Sequence, residues 1–184
     1  MLRTAVVVID MLEDFVDGVL ANPAAKSIIS PIAALAERAR LEKDWVVLYA
    51  NDAHHLDDIE LKVFPPHAMA GTPGAAVIAE LQPRPSDMTV AKRFYSAFTG
   101  TDLEESLRSR GVGRLVLVGQ HTDCCVRHIS YDAFVSGFEL VVCPDATTVF
   151  DQPGAEPIEA RQARALEYLQ TYYGAHVEPS GALS

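Results

Sequence analysis

The chain of 184 residues has little cysteine, few basic residues and no long apolar run. Three cysteines, two of them adjacent, make a poor disulfide framework, so we expect free thiols and a cytoplasmic protein. Fifteen Lys and Arg against 25 Asp and Glu give a net charge of −10, which argues against nucleic acid as a partner. No apolar run approaches the about 18 residues of a membrane span, and Ala5–Ile9 is too short for a secretion signal.

Short runs of Val, Ile and Leu recur along the chain, each followed by a helical stretch. Hydrophobic residues make up 49% and charged residues 22%, and this composition and length fit a single globular domain over residues 1–184. Apolar strands without alternation are typical of a parallel sheet that is covered on both faces. The predicted strands are Thr4–Ile9, Trp45–Ala50, Met88–Ala91, Arg114–Val118, Phe138–Cys143 and Ala175–Val177.

Helical periodicity separates these strands. Thr101 and Glu104 have the spacing of a capping box, with Thr101 as the N-cap. The alternation of strands and helices predicts an α/β fold, doubly wound around a mostly parallel sheet of about six strands with helices on both faces. Such folds bind ligands at the carboxyl ends of their strands. The predicted helices are Pro31–Lys43, Thr101–Arg110, Asp123–Ser136 and Glu159–Tyr172.

Cys125 follows the fourth predicted strand, where the chain turns into a helix. A cysteine in the first turn of a helix is near the positive end of the helix dipole, so we expect its pKa to fall. The backbone N–H groups of this turn could also hold the oxyanion of a tetrahedral intermediate. The alternative is an ordinary buried apolar cysteine, which is how we interpret Cys143.

A thiolate that attacks an amide also needs a proton carrier. Asp10, at the end of the first strand, would serve if the strands that precede Asp10 and Cys125 are neighbours in the sheet. Lys92 would then supply the positive charge that lowers the pKa of both groups. Asp10 by itself also fits a helix cap or a turn, and His121 and His128 are alternative bases.

A second set of side chains follows the strand that ends near Asp52. In the pattern Asp-x-His, Asp52 and His54 project to the same side of an extended segment, and Glu60 and His67 follow in the next loop. Two imidazoles and two carboxylates suit Zn²⁺, Fe²⁺ or Mn²⁺. The alternative is a solvated acidic loop that carries incidental histidines.

Three segments of the chain together resemble the motifs of one enzyme family. Val8–Phe15, Ala91–Phe98 and Gly119–Val126 are similar to the opening, lysine and nucleophile motifs of the isochorismatase-like cysteine hydrolases, and among these to the nicotinamidases. The resemblance covers nearly the whole chain. It implies an isochorismatase-like hydrolase fold.

The resemblance also implies roles for single residues. Asp10, Lys92 and Cys125 take the catalytic positions, and Cys125 rather than Cys124 is the nucleophile because it directly precedes Val. A cis peptide bond is implied between Gln120 and His121, with the N–H groups of His121 and Cys125 as the oxyanion hole. The Gln-His pair is bulkier and more polar than the family pattern.

In nicotinamidases a metal ion binds the pyridine nitrogen of the substrate. By resemblance Asp52, His54, Glu60 and His67 are its ligands, with zinc the first expectation and iron or manganese the others. The residues that sandwich the substrate ring are Phe15, Phe64 and Tyr95, for which ordinary core packing is the alternative.

The implied function is hydrolysis of nicotinamide to nicotinate and ammonia through a cysteine thioester, in a homodimer or homotetramer. The alternatives are an amidase of the same family for a carbamoyl, ureido or maleamate-type amide, and a non-catalytic metal-binding protein on the same scaffold.

Overall fold

Six strands form one parallel sheet in the order β3-β2-β1-β4-β5-β6. The structure is a computed structural model and describes residues 2–152 and 154–183. Every predicted strand is present, and the predicted α/β fold is confirmed. The strands are β1 Arg3–Ile9, β2 Trp45–Asp52, β3 Met88–Lys92, β4 Val112–Gln120, β5 Glu139–Thr148 and β6 His176–Val177.

Helices cover both faces of this sheet. The helices α1 and α2 pack on one face, and α3, α4 and α5 pack on the other. Within the described residues, no helix combines the length and apolar character that crossing a bilayer requires. The bounds are α1 Glu13–Val16, α2 Ala25–Leu41, α3 Leu103–Ser109, α4 Cys125–Val135 and α5 Ile158–Tyr173.

Alternate residues of the central strand supply the two cores. Val6 and Val8 of β1 face α2, whereas Ala5, Val7 and Ile9 face α3 and α4, and each of the five is at most 1% exposed. Burial on both faces explains why β1 has no polar position between Ala5 and Ile9. The polar residues are therefore confined to the ends of the strand, where Asp10 follows.

The short helix α1 was not predicted, and the starts of α2 and α3 differ from the sequence prediction in ways that have a physical reason. The helix α2 starts at Ala25 and contains Pro31, which was predicted to begin it. Proline removes one hydrogen bond from the helix, but the helix continues through it, with Ile32 completely buried in the core. The N-cap of α3 is Asp102 rather than Thr101, whose hydroxyl accepts a hydrogen bond from the backbone N–H of Leu103 at 3.2 Å.

A close backbone approach joins the ends of β1 and β4. A Cβ atom on Gly119 would lie 2.1 Å from the carbonyl oxygen of Ile9, and Gly119 has a φ of +106°. Only glycine fits this position. The contact brings Asp10, directly after β1, beside the turn that leads from β4 into α4.

Candidate active site

Asp10, Lys92 and Cys125 meet at the carboxyl edge of the sheet, although they are far apart in the sequence. The Lys92 Nζ atom lies 2.8 Å from Asp10 Oδ2 and 3.5 Å from Cys125 Sγ. An Asp10 oxygen lies within 4.8 Å of the sulfur. A thiol, a carboxylate and an ammonium in mutual contact are the groups that cysteine-dependent acyl transfer requires.

Burial and neighbouring charges together set the protonation of Asp10 and Lys92. Burial and the nearby Asp52 carboxylate raise the pKa of Asp10 to about 7, against the opposing effect of Lys92. Burial disfavours the charged form of Lys92, but the neighbouring Asp10 and Asp52 carboxylates nevertheless raise its pKa well above the usual range. Lys92 is therefore a permanent cation, whereas Asp10 can gain and lose a proton near neutral pH.

The pKa of Cys125 departs from the sequence prediction. A hydrogen bond with Cys124, followed by burial, raises the pKa of Cys125 well above its usual value, although Lys92 acts to lower it. Its side chain is buried within the first turn of α4, so the helix dipole does not dominate. Cys125 is therefore a thiol at rest, and a nucleophilic role for it would require a proton acceptor within reach of the sulfur.

Asp52, His54, Glu60 and His67 form a buried cluster beside this group. One ligand atom from each lies within 4.8 Å of all the others. The Nε2 atom of His54 is 3.7 Å from Asp52 Oδ2 and 3.8 Å from Glu60 Oε2, and His67 Nε2 is 3.8 Å from Glu60 Oε1. These separations are longer than hydrogen bonds and leave a common centre among the four groups.

The unused donor and acceptor atoms of this cluster fit a divalent metal. Asp52 Oδ2 and His54 Nε2 are buried and form no hydrogen bond in the described residues. Burial opposes protonation of His54, yet the neighbouring Asp52 carboxylate raises its pKa to about 9, so the site attracts positive charge. Two imidazole nitrogens and two carboxylates are a donor set that zinc accepts.

The Nδ1 atom of each histidine contacts an oxygen outside the cluster. His67 Nδ1 lies 2.7 Å from the carbonyl oxygen of Pro65, and His54 Nδ1 lies 3.0 Å from Asp58 Oδ2. Arg93 donates in turn to Asp58, with its Nε atom at 2.7 Å. Such contacts fix the ring orientation, so both Nε2 atoms face the cluster. Asp58 and Arg93 were not identified from the sequence.

The turn between β4 and α4 carries the implied cis peptide bond. The bond from Gln120 to His121 is cis. The Gln120 side chain is completely buried, donates to the Asp10 carbonyl oxygen at 3.2 Å and accepts from Asn22 Nδ2 at 3.0 Å. Its side chain thus fastens the turn to the end of β1. The N–H groups of Cys124 and Val126 both donate to the His121 carbonyl oxygen, at 3.0 and 3.1 Å.

Within the described residues, neither alternative base forms a hydrogen bond or an ion pair with Asp10 or Lys92. His128 Nδ1 contacts the carbonyl oxygen of Cys124 at 2.8 Å. Burial lowers the pKa of His121 to about 4, so this ring is neutral, and its Nε2 atom is buried without a hydrogen-bond partner in the described residues.

A cavity of about 400 Å³ connects the thiol to the cluster. The three aromatic residues named from the resemblance all line it, and the ring centroids of Phe15 and Phe64 lie 5.4 and 6.0 Å from that of His67. Tyr95 lies on the other side, with its ring 5.1 Å from that of His128. The sequence analysis did not identify five further lining residues, namely Leu20, Asp123, Phe150, Gln152 and Arg161.

The profile of the isochorismatase domain matches residues 4–178. The chain belongs to the isochorismatase family. A curated relative, an uncharacterized isochorismatase family protein PncA from Bacillus subtilis strain 168, is 36% identical over 96% of this chain and 99% of its own length. A probable inactive nicotinamidase from Arabidopsis thaliana is 28% identical over 90% of this chain and 87% of its own.

Solved structures of family members superpose closely on this isochorismatase-family chain. N-carbamoylsarcosine amidase from Thermoplasma acidophilum has a TM-score of 0.89 at 34% identity, covering 99% of both chains. Nicotinamidase/pyrazinamidase PncA from Bacillus subtilis has a TM-score of 0.84 at 32% identity, covering 95% of this chain and 98% of its own. Pyrazinamidase of Pyrococcus horikoshii in complex with zinc has a TM-score of 0.84 at 28% identity, covering 96% and 99%. The chain is an isochorismatase-family hydrolase, and these three relatives are amidases.

Proposed function

We propose that this hydrolase is a metal-dependent amidase that converts nicotinamide to nicotinate and ammonia. The observation that carries the proposal is one cavity in which Asp10, Lys92 and Cys125 lie beside a buried cluster of metal-ligating side chains. Nicotinamide needs both parts, because its pyridine nitrogen is a metal ligand and its carboxamide is the reacting group.

Asp52, His54, Glu60 and His67 would hold one divalent ion, with zinc the first choice and iron or manganese the others. A solved pyrazinamidase in complex with zinc supports this choice. When bound, the metal supplies Lewis-acid chemistry and a fixed attachment point for the pyridine nitrogen.

The chain's own residues then perform the acyl transfer. Asp10 takes the proton of the Cys125 thiol, and the sulfur forms a bond to the carboxamide carbon. The C–N bond breaks, and ammonia leaves with the proton that Asp10 held. Water next attacks the thioester carbon while Asp10 removes a proton from that water. The carbon–sulfur bond then breaks, Asp10 returns this proton to the sulfur to restore the thiol, and the product acid loses its proton to solvent and leaves as nicotinate. Lys92 keeps its charge throughout and stabilises ionised Asp10 and Cys125.

The backbone N–H groups of His121 and Cys125 are proposed to hold the oxyanion of each tetrahedral intermediate. They belong to the turn that Gln120 fastens to the carbonyl oxygen of Asp10, so the donors are fixed relative to the base. Fixed donors stabilise developing negative charge without reorganising during the reaction.

Phe15, Phe64 and Tyr95 are proposed to pack against the pyridine ring. All three line the cavity, and the rings of Phe15 and Phe64 contact the His67 imidazole. A flat apolar ring held between aromatic side chains gains both burial and favourable ring–ring contacts.

The second candidate is an amidase for a carbamoyl, ureido or maleamate-type amide. The TM-score of 0.89 to N-carbamoylsarcosine amidase favours it. A third reading, a non-catalytic metal-binding protein, is suggested by the relative described as a probable inactive nicotinamidase.

We also propose that residues 1–184 act as one domain in the cytoplasm, in a homodimer or homotetramer. The two cores on either face of one sheet support a single folding unit. The described cysteines are all free thiols, as a reducing compartment favours.

An ammonia-release assay on a panel of small amides tests these alternatives. The panel contains nicotinamide, a carbamoyl amino acid, a ureido acid and maleamate, each measured with the purified protein before and after chelation. Nicotinamide turnover that chelation abolishes and zinc restores supports the proposal. Faster turnover of another amide would replace the substrate, and no ammonia from any amide would favour the non-catalytic alternative.

A further inference from the structure

Asp14 lies in the same segment as Asp10, but its carboxylate contacts the loop around His67 and Ala68. We propose that Asp14 is a positioning residue for two metal ligands, His54 and His67, and that it acts through the peptide of Ala68. This inference rests on the metal site of the proposed function.

Hydrogen bonds connect Asp14 to both histidines through one residue. The backbone N–H of Ala68 donates to Asp14 Oδ2 at 2.8 Å. The carbonyl oxygen of Ala68 accepts from the backbone N–H of His54 at 2.9 Å, and Ala70 N–H donates back to the His54 carbonyl oxygen at 2.9 Å. Ala68 directly follows His67. A single carboxylate therefore fixes the peptide that sets the spacing of two ligands from different segments.

The backbone of Ala68 needs an external restraint of this kind. Ala68 has a φ of +43°, in the left-handed region that alanine rarely adopts, and it is completely buried. The hydrogen bond from its N–H to Asp14 favours this conformation. Without that bond, rotation of the peptide between His67 and Ala68 would move the His67 side chain away from Glu60.

The Asp14 carboxylate occupies space that a side chain at position 74 would fill. A Cβ atom on Gly74 would lie 2.1 Å from Asp14 Oδ2 and 2.4 Å from its Cγ, closer than any normal contact. The three nearest atoms to that added Cβ all belong to the Asp14 side chain. Gly74 is therefore the residue that allows Asp14 to reach Ala68. Replacing Gly74 with alanine should therefore displace the Asp14 carboxylate without removing it.

A neighbouring carboxylate serves as the control. Asp17 lies just beyond α1, is 63% exposed and pairs with Lys26 at 2.6 Å. A surface ion pair of this kind contributes little to stability. Replacing Asp17 removes the same charge as replacing Asp14, at a position that, among the described residues, has no hydrogen bond to the loop around His67 and Ala68.

The test is the zinc dissociation constant of the full chain, measured by competition with a chromogenic chelator, with circular dichroism to verify folding. We expect Asp14→Ala to weaken zinc binding by about 10- to 100-fold, as loss of a residue that orients metal ligands does. Asp14→Asn keeps one oxygen that can accept from Ala68, so its constant should lie closer to that of the unaltered chain. Asp17→Ala should bind zinc unchanged.

A double variant of Asp14 and Gly74 distinguishes a positioning role of Asp14 from general destabilisation of the protein. Gly74→Ala should also weaken zinc binding, and the double variant with Asp14→Ala should bind no more weakly than Asp14→Ala alone. Additive losses, or a folded Asp14→Ala variant with an unchanged constant, would overturn the positioning role and leave the proposed function intact. If Asp14→Ala does not fold, Asp14→Asn and Gly74→Ala decide in its place. If the unaltered chain binds no zinc, the metal site fails, and this inference fails with it.

Discussion

Lys92 donates to Asp52 at 2.5 Å from the middle of the candidate active site. The two residues are also register partners at the ends of β3 and β2. Because Lys92 contacts Cys125 as well, the same ammonium joins the proposed nucleophile to a proposed metal ligand. The sheet register therefore places the proposed reaction centre and the proposed metal ligands in one charged unit, in which loss of the cation should affect both.

Lys92→Met should remove both activity and stability. The substitution leaves Asp10 and Asp52 buried near each other without their cation, which typically costs about 3–5 kcal/mol for a broken buried pair. We expect that loss in the free energy of unfolding in urea, measured on chelator-treated protein, together with loss of ammonia release. Lys43→Met, at an exposed lysine, is the control and should change neither quantity. A stable Lys92→Met protein would show that the ion pairs do not hold the site together.

Cys125→Ala and Cys124→Ala should show which of the two adjacent thiols is the nucleophile. Cys125→Ala removes the proposed nucleophile, so ammonia release should fall by more than about a thousand-fold, while zinc binding stays unchanged. Cys124→Ala removes only a hydrogen-bond partner of that sulfur and should keep activity within about tenfold. Rapid turnover by Cys125→Ala, or loss of turnover in Cys124→Ala alone, would show that Cys125 is not the nucleophile.

The sequence predicted most of the fold because burial on both faces leaves a clear signal. Continuous apolar runs marked the central strands, and strand ends such as Asp10 and Lys92 identified the edge where the site lies. The start of α2 was missed because Pro31 was taken as a helix start, although the packing of Ile32 carries the helix through it.

The supporting residues of the site could not be predicted in the same way. Asp14, Asp58 and Arg93 reach the site through contacts across the fold, and no spacing along the chain indicates which carboxylate faces which histidine. The raised pKa of Cys125 is another consequence of tertiary packing, since helix position alone gave the opposite direction.

His121 should make the protein less stable in mild acid. Burial lowers its pKa to about 4 in the folded protein, against 6.5 as the ordinary value, so the unfolded chain binds a proton more readily. The resulting stability is fully present above pH 6.5 and is lost as pH falls from 6.5 towards 4, by at most about 3 kcal/mol.

His121→Asn should remove that part of the acid sensitivity. Urea unfolding at pH 7, 6, 5 and 4 would show a shallower decline in the free energy of unfolding for the variant than for the unaltered chain. His176→Asn, at an exposed histidine, is the control. Equal slopes for the unaltered chain and His121→Asn would mean that His121 is not held neutral by its surroundings.

Asp58→Ala should weaken metal binding through His54. The Asp58 carboxylate contacts His54 Nδ1 at 3.0 Å and accepts from the backbone N–H of His55 at 3.0 Å, so its loss frees the ring to turn away from the cluster. We expect the zinc dissociation constant to rise by about 10- to 100-fold. The adjacent Asp57, 84% exposed, pairs with Arg93 at 3.0 Å but is not bonded to His54 in the described residues, so Asp57→Ala should bind zinc normally. Equal weakening by both variants would point to the charge of the loop, whereas weakening by Asp58→Ala alone would assign the effect to the orientation of the imidazole.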